Sequence, residues 1–169
     1  MKSILLTFLL AIGAARSIKD VDLENFTYPS FAGLRSVPLR NGEYCSPPGR
    51  DVCVGLGPIA FGDLTGDGDP EVAIVLAAVF RLGNGSHSAG FVYQMRDGQP
   101  QLIGRFAGGD RGNGSIGRIQ IAHRHLYVTR AHASCAACDD GSEKDAFAWN
   151  GRHLELISSE VLPASRVQP

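Results

Sequence analysis

The chain has 169 residues, 44% of them hydrophobic, and a formal net charge of −1. That length suits one globular domain and leaves little room for two, and an ordinary apolar fraction excludes wholesale disorder. The near-neutral balance lacks the basic excess that phosphate neutralisation demands, so nucleic acid is excluded as the expected partner.

In chain order, the first predicted element is a leader. Met1-Lys2 supplies a positive start, and Ile4 to Ala14 is an almost unbroken apolar run. Gly13-Ala14-Ala15 offers small residues for cleavage after Ala15. This pattern is a secretory signal peptide over residues 1–15. The run is shorter than the roughly 20 apolar residues of a membrane-spanning helix. The longest later apolar stretch, Val72 to Phe80, has nine residues and reads as a buried strand. The expected destination is therefore the periplasm or the exterior, with no membrane span and a monomeric state.

Residues 16–50 form an irregular N-terminal segment, punctuated by Tyr28-Pro29 and Ser46-Pro47-Pro48-Gly49. A short helix near Val21–Phe26, a strand from Leu34 to Leu39 and a turn at Asn41-Gly42 are expected there. Residues 51–169 read as a β domain packed with that segment as one unit. From Ile59 onward, strand-like runs and turns alternate. Glu71 to Leu82 is β-branched and apolar, as a central strand requires. Phe91–Arg96 and Gln99–Phe106 flank an Asp97-Gly98 turn. Ile116–Ala122 and Leu126–Thr129 flank the His123-Arg124-His125 corner. Asn150-Gly151 tolerates the positive φ of a type I′ turn, and a two-residue loop there sets Phe147 opposite Leu154 on one buried face. Helical periodicity is weak throughout, and no repeat appears at a fixed period. The fold class is mainly β, a single-domain antiparallel meander closed as a sandwich or an open barrel, with little helix.

Four cysteines follow the leader, an even number that suits disulfides in an exported chain. The short intervening loops favour Cys45–Cys53 and Cys135–Cys138. A redox pair at Cys135/Cys138 lacks the helix N-terminus that lowers a thiol pKa. Zinc at these cysteines with His132 lacks a second ligand pair. His123 and His125, read as exposed turn residues, have no His-Glu-x-x-His context. The glycine-rich stretch Gly108–Gly114 lacks the ending of a phosphate loop. Ser86-His87 reads as loop, with no Gly-x-Ser-x-Gly elbow anywhere.

The sharpest motif is Phe61-Gly62-Asp63-Leu64-Thr65-Gly66-Asp67-Gly68-Asp69-Pro70-Glu71. Oxygen-bearing side chains fall at every second position: Asp63, Thr65, Asp67, Asp69 and Glu71. Hard cations such as calcium collect six to eight oxygens at such spacing, and Gly68 permits the coil. Asp69 is expected to offer its backbone carbonyl. Ile74 stands where an EF-hand needs its bidentate Glu, which excludes that motif. A bare acidic turn is the competing reading, since Asp and Gly favour turns by themselves.

This loop resembles the calcium loop of FG-GAP/VCBS-type repeats, over about a dozen residues and once only. Asn25-Phe26-Thr27-Tyr28-Pro29, the loop, Gly109-Asp110-Arg111, Cys135/Cys138 and Trp149-Asn150-Gly151 together are similar to small exported bacterial proteins of uncharacterised function. The resemblance implies a β fold, export and a calcium site. Thr65 departs from the usual Asn or Asp, and Glu71 from the usual Asp. The function these readings lead to is non-enzymatic: a calcium-stabilised exported protein that binds a protein, glycan or cell-envelope component. A small secreted hydrolase using a metal or paired carboxylates is the alternative.

Overall fold

A computed structural model describes residues 17–48, 51–81, 85–110, 114–133, 138 and 141–164. The leader at residues 1–15 lies outside them. Two single 3₁₀ turns, Ile18–Asp20 and Leu23–Asn25, take the place of the helix expected near Val21–Phe26. A local side-chain bond closes each turn. Asp20 accepts from the Ser17 amide at 3.0 Å, and Asp22 accepts from the Asn25 amide at 3.2 Å. Such local side-chain bonds favour short turns over helix propagation. Strands β1 (Thr27–Tyr28) and β2 (Val37–Pro38) then pair antiparallel. The strand expected over Leu34–Leu39 shrinks to β2, because Leu34 instead bridges Phe31.

Five strands build the first sheet: β3 (Glu43–Cys45), β4 (Val52–Gly62), β5 (Glu71–Phe80), β6 (Ser86–Arg96) and β7 (Gln99–Ala107), side by side in that order. Four more build the second: β8 (Ile116–Ala122), β9 (His125–His132), β10 (Gly141–Trp149) and β11 (Leu154–Pro163), again adjacent in chain order. Every neighbouring pair is antiparallel. The chain is thus a mainly β meander, laid out as two open sheets packed face to face. β4 begins at Val52, earlier than expected from Ile59. A bulge between Leu56 and Ile59 absorbs Gly57-Pro58, residues that otherwise read as strand breakers.

Two apolar clusters hold three layers together. Ile18, Leu23, Tyr28, Phe31, Leu34, Val37 and Leu39 of the N-terminal segment cover one face of the first sheet, against Val54, Ile74, Leu76 and Phe91. Ala73, Val75, Val92 and Phe106 on the other face meet Ile119, Ile121, Leu126 and Val128 of the second sheet. The sheets approach most closely where β4 meets β8. A Cβ on Gly62 would come within 2.7 Å of Ile121 Cγ2, so this position requires glycine.

Cys45 and Cys53 face each other across β3 and β4 and form the expected disulfide. Cys138 is also disulfide-bonded. Cys135, the partner expected for it, lies outside the described residues.

Candidate functional site

The acidic loop joins the end of β4 to the start of β5, at the close end of the two sheets. Gly66 and Gly68 adopt φ of +83° and +92°, which lets the chain coil between Asp63 and Glu71. Leu64 is buried in the inter-sheet cluster and pins the loop to the core. Glu71 is 0% exposed, and its carboxylate points back into the loop. Its Oε2 accepts from the Leu64 amide at 2.7 Å and the Thr65 amide at 3.0 Å. The Thr65 hydroxyl donates to Oε1 at 3.2 Å. Asp63 accepts from the Gly66 amide at 2.6 Å. Asp67 accepts from the Asp69 amide at 3.0 Å and from Gln94 Nε2 at 2.7 Å.

These bonds make the loop a self-braced unit. Burial pushes the Glu71 carboxyl above the ordinary value of 4.5, with the Asp67 charge adding to the shift. The amides of Thr65 and Leu64 and the Thr65 hydroxyl oppose it by favouring the charged form. Desolvation wins over hydrogen bonding here.

A second element closes the loop from outside. The β8–β9 turn consists of His123 and Arg124, both with positive φ, 51° and 61°. An arginine in that region is uncommon and strained. Its side chain lies across Gly66, where any Cβ would collide with the guanidinium, and it donates to the Thr65 carbonyl at 3.3 Å. One sheet's turn thus sets a cation against the other sheet's acidic loop.

Asp63, Thr65, Asp67, Asp69 and Glu71 therefore share one loop, but most of the side-chain oxygens named above are engaged by donors of the protein itself. Asp69 is exposed, and its amide is tied to Asp67. Among the described residues, no three His, Cys, Asp or Glu side chains form a ligand group. His123 is exposed at the turn tip, whereas His125 opens β9 with its Nδ1 buried and unpartnered. Ser86, His87 and Ser88, expected in a loop, lie in β6, where the His87 ring stacks on Phe31 at 5.9 Å.

Sequence reasoning missed Gln94, Arg124 and a further inter-sheet contact. Arg130 Nη2 pairs with Asp145 at 2.6 Å, both nearly buried, and Nη1 donates to the Ala107 carbonyl of β7 at 2.8 Å. The one available signal was the His123-Arg124 turn, which lacks the Asn or Gly that such a turn prefers.

No protein-family model matches the chain, and no curated protein matches it in sequence. No helix among the described residues is long and apolar enough to cross a membrane.

Proposed function

We propose that this chain is a non-catalytic binding module of the periplasm or exterior, and that it takes a protein partner by adding a strand to β11. One observation carries the reading: β11 is the edge of its sheet and exposes Leu156 (53%), Ile157 (51%), Val161 (51%) and Leu162 (37%). A long apolar edge with unpaired backbone groups is a template for another chain.

The two rows of β11 differ in chemistry. Leu154 and Leu156 stand opposite Trp149 and Phe147, and Val161 opposite Glu143, on the face toward the first sheet. Glu155 and Glu160 stand opposite Ala148 and Lys144 on the outer face. No basic residue occurs between Leu154 and Pro163. The complementary occupant is an extended segment that alternates apolar residues with Lys or Arg. Its apolar row extends Leu156 and Val161, and its basic row pairs with the two glutamates.

The acidic loop serves this module as a brace. Calcium is its proposed ion, with Asp63, Thr65, Asp67, Asp69 and Glu71 as ligands. The alternating oxygens and the crowding of four carboxylates in nine residues support that choice. Millimolar calcium should raise the melting temperature of the wild type and leave Asp67→Ala unmoved. No calcium shift in the wild type would remove the ion from the account.

The binding reading is tested with a labelled ten-residue peptide of alternating valine and lysine, followed by fluorescence anisotropy. Saturable binding is expected. It should be lost in a Glu155→Lys/Glu160→Lys double variant whose melting temperature is unchanged, since exposed substitutions rarely move stability beyond about 0.5 kcal/mol. Absence of saturation, or equal binding by the charge-reversed variant, would overturn it.

A further inference from the structure

The outer face of the second sheet carries a different chemistry from the β11 edge. Arg118 of β8, Thr129 of β9 and Lys144 of β10 form one cross-strand row, with Arg118 opposite Thr129 and Thr129 opposite Lys144. Directly opposed side chains sit about 5 Å apart at Cβ, so the two cations flank the threonine hydroxyl within reach of a common small group. Gln120 and Tyr127 form the next row. Together with Ile119, these five side chains line a concavity of about 150 Å³.

The cations are not consumed by the protein. The Arg118 side chain makes no ion pair or hydrogen bond among the described residues. Lys144 has Glu160 opposite it on β11, yet its ammonium leans the other way, to 4.9 Å from the centre of the Tyr127 ring. Leaving that acid for an aromatic face directs the charge into the concavity, where Arg118 approaches from the far side. Two neighbouring cations held without an acid between them repel each other, and an oxyanion relieves that repulsion.

We infer that this concavity binds one acidic sugar unit, its carboxylate or phosphate gripped between Arg118 and Lys144. Guanidinium and ammonium supply charge-assisted hydrogen bonds to the anionic oxygens. The Gln120 amide, a donor and an acceptor, and the Thr129 hydroxyl are placed for the ring hydroxyls. The volume is below the roughly 300 Å³ of a drug-sized pocket, which suits one ring and not an extended chain. The concavity is lined from β8, β9 and β10 alone, with no residue of β11, so its test does not depend on whether a protein segment joins that edge.

The test is a titration of isotope-labelled protein with glucuronate, glucose 1-phosphate, glucose and inorganic phosphate, read from backbone amide shifts. Both acidic sugars should shift the amides of Arg118, Thr129 and Lys144, and the tighter one identifies the preferred anion. Glucose should bind far more weakly. Arg118→Gln and Lys144→Gln should each weaken binding about tenfold, the effect of losing one charge-assisted bond, with the remaining spectrum intact. Equal shifts with glucose, shifts confined to other regions, no shift at all, or unchanged affinity in both variants would overturn the site. Inorganic phosphate matching glucose 1-phosphate would overturn the sugar.

Discussion

Glu71 holds the acidic loop by a carboxylate that has lost its water. Because its folded-state pKa is raised, the folded chain keeps this proton to higher pH than the unfolded chain does. Stability linked to Glu71 is therefore fully present below the ordinary value of 4.5 and falls as pH rises through the raised folded value. Glu71→Gln keeps an acceptor for the Leu64 and Thr65 amides and removes the charge. In metal-free buffer its melting temperature should lack the decline that the wild type shows above pH 4.5, as measured by pH-resolved thermal melts. Arg124 provides a second test. Arg124→Gly relaxes a left-handed residue, worth about 1 kcal/mol, but abandons Thr65. His123→Asn relaxes the same turn and keeps the arginine. Denaturant unfolding should show the asparagine variant more stable than the glycine variant. The alternation of loop oxygens was legible in the sequence. Arg124 was not, because it reaches the loop from 59 residues away.

The hairpins show how far turn chemistry reads through to structure. Asp97-Gly98 and Asn41-Gly42 adopt the paired positive φ that their sequences announce. Asn150-Gly151 does turn the chain, but β11 starts at Leu154, so four residues and not two connect the strands. The Asn150 side chain accepts from the amides of Arg152 and His153 at 3.1 and 3.0 Å, which stabilises the wider turn. Trp149 now faces Leu154, and Phe147 faces Leu156. The slip is by two positions, so Phe147 and Leu154 remain on the expected buried face. What sequence spacing could not reveal is the Arg130–Asp145 pair, which ties β9 and β10 to each other and, through Ala107, to the first sheet. Asp145→Ala should cost about 3–5 kcal/mol by stranding a nearly buried guanidinium. Adding Arg130→Met should recover a large part of that loss, as measured by urea unfolding. A small loss for Asp145→Ala alone would show that water reaches the pair.

Three layers make the molecule: an N-terminal cover, a five-stranded sheet and a four-stranded sheet. β4–β7 and β8–β11 are successive four-strand meanders with a turn at Asp97-Gly98 in one and at Asn150-Gly151 in the other. The likeness is hidden in the sequence because the first inter-strand link spans eight residues in one meander and two in the other. Alternation and turn residues were enough to read an antiparallel β protein. They did not distinguish sandwich from barrel, because that depends on which faces meet across residues distant in the chain. The two meanders bury one face of each sheet against the other, and the N-terminal segment buries the remaining face of the first. The outer side of the second sheet carries Arg118, Gln120, Thr129 and Lys144, and its edge strand β11 exposes Leu156, Ile157, Val161 and Leu162. Hydrogen exchange of the β11 amides, with and without the alternating valine–lysine peptide, tests the proposed strand addition. Strand addition at β11 should slow exchange at residues 154–163 and their immediate neighbours, and nowhere else. Unchanged exchange across β11 at a peptide concentration that saturates binding would contradict it.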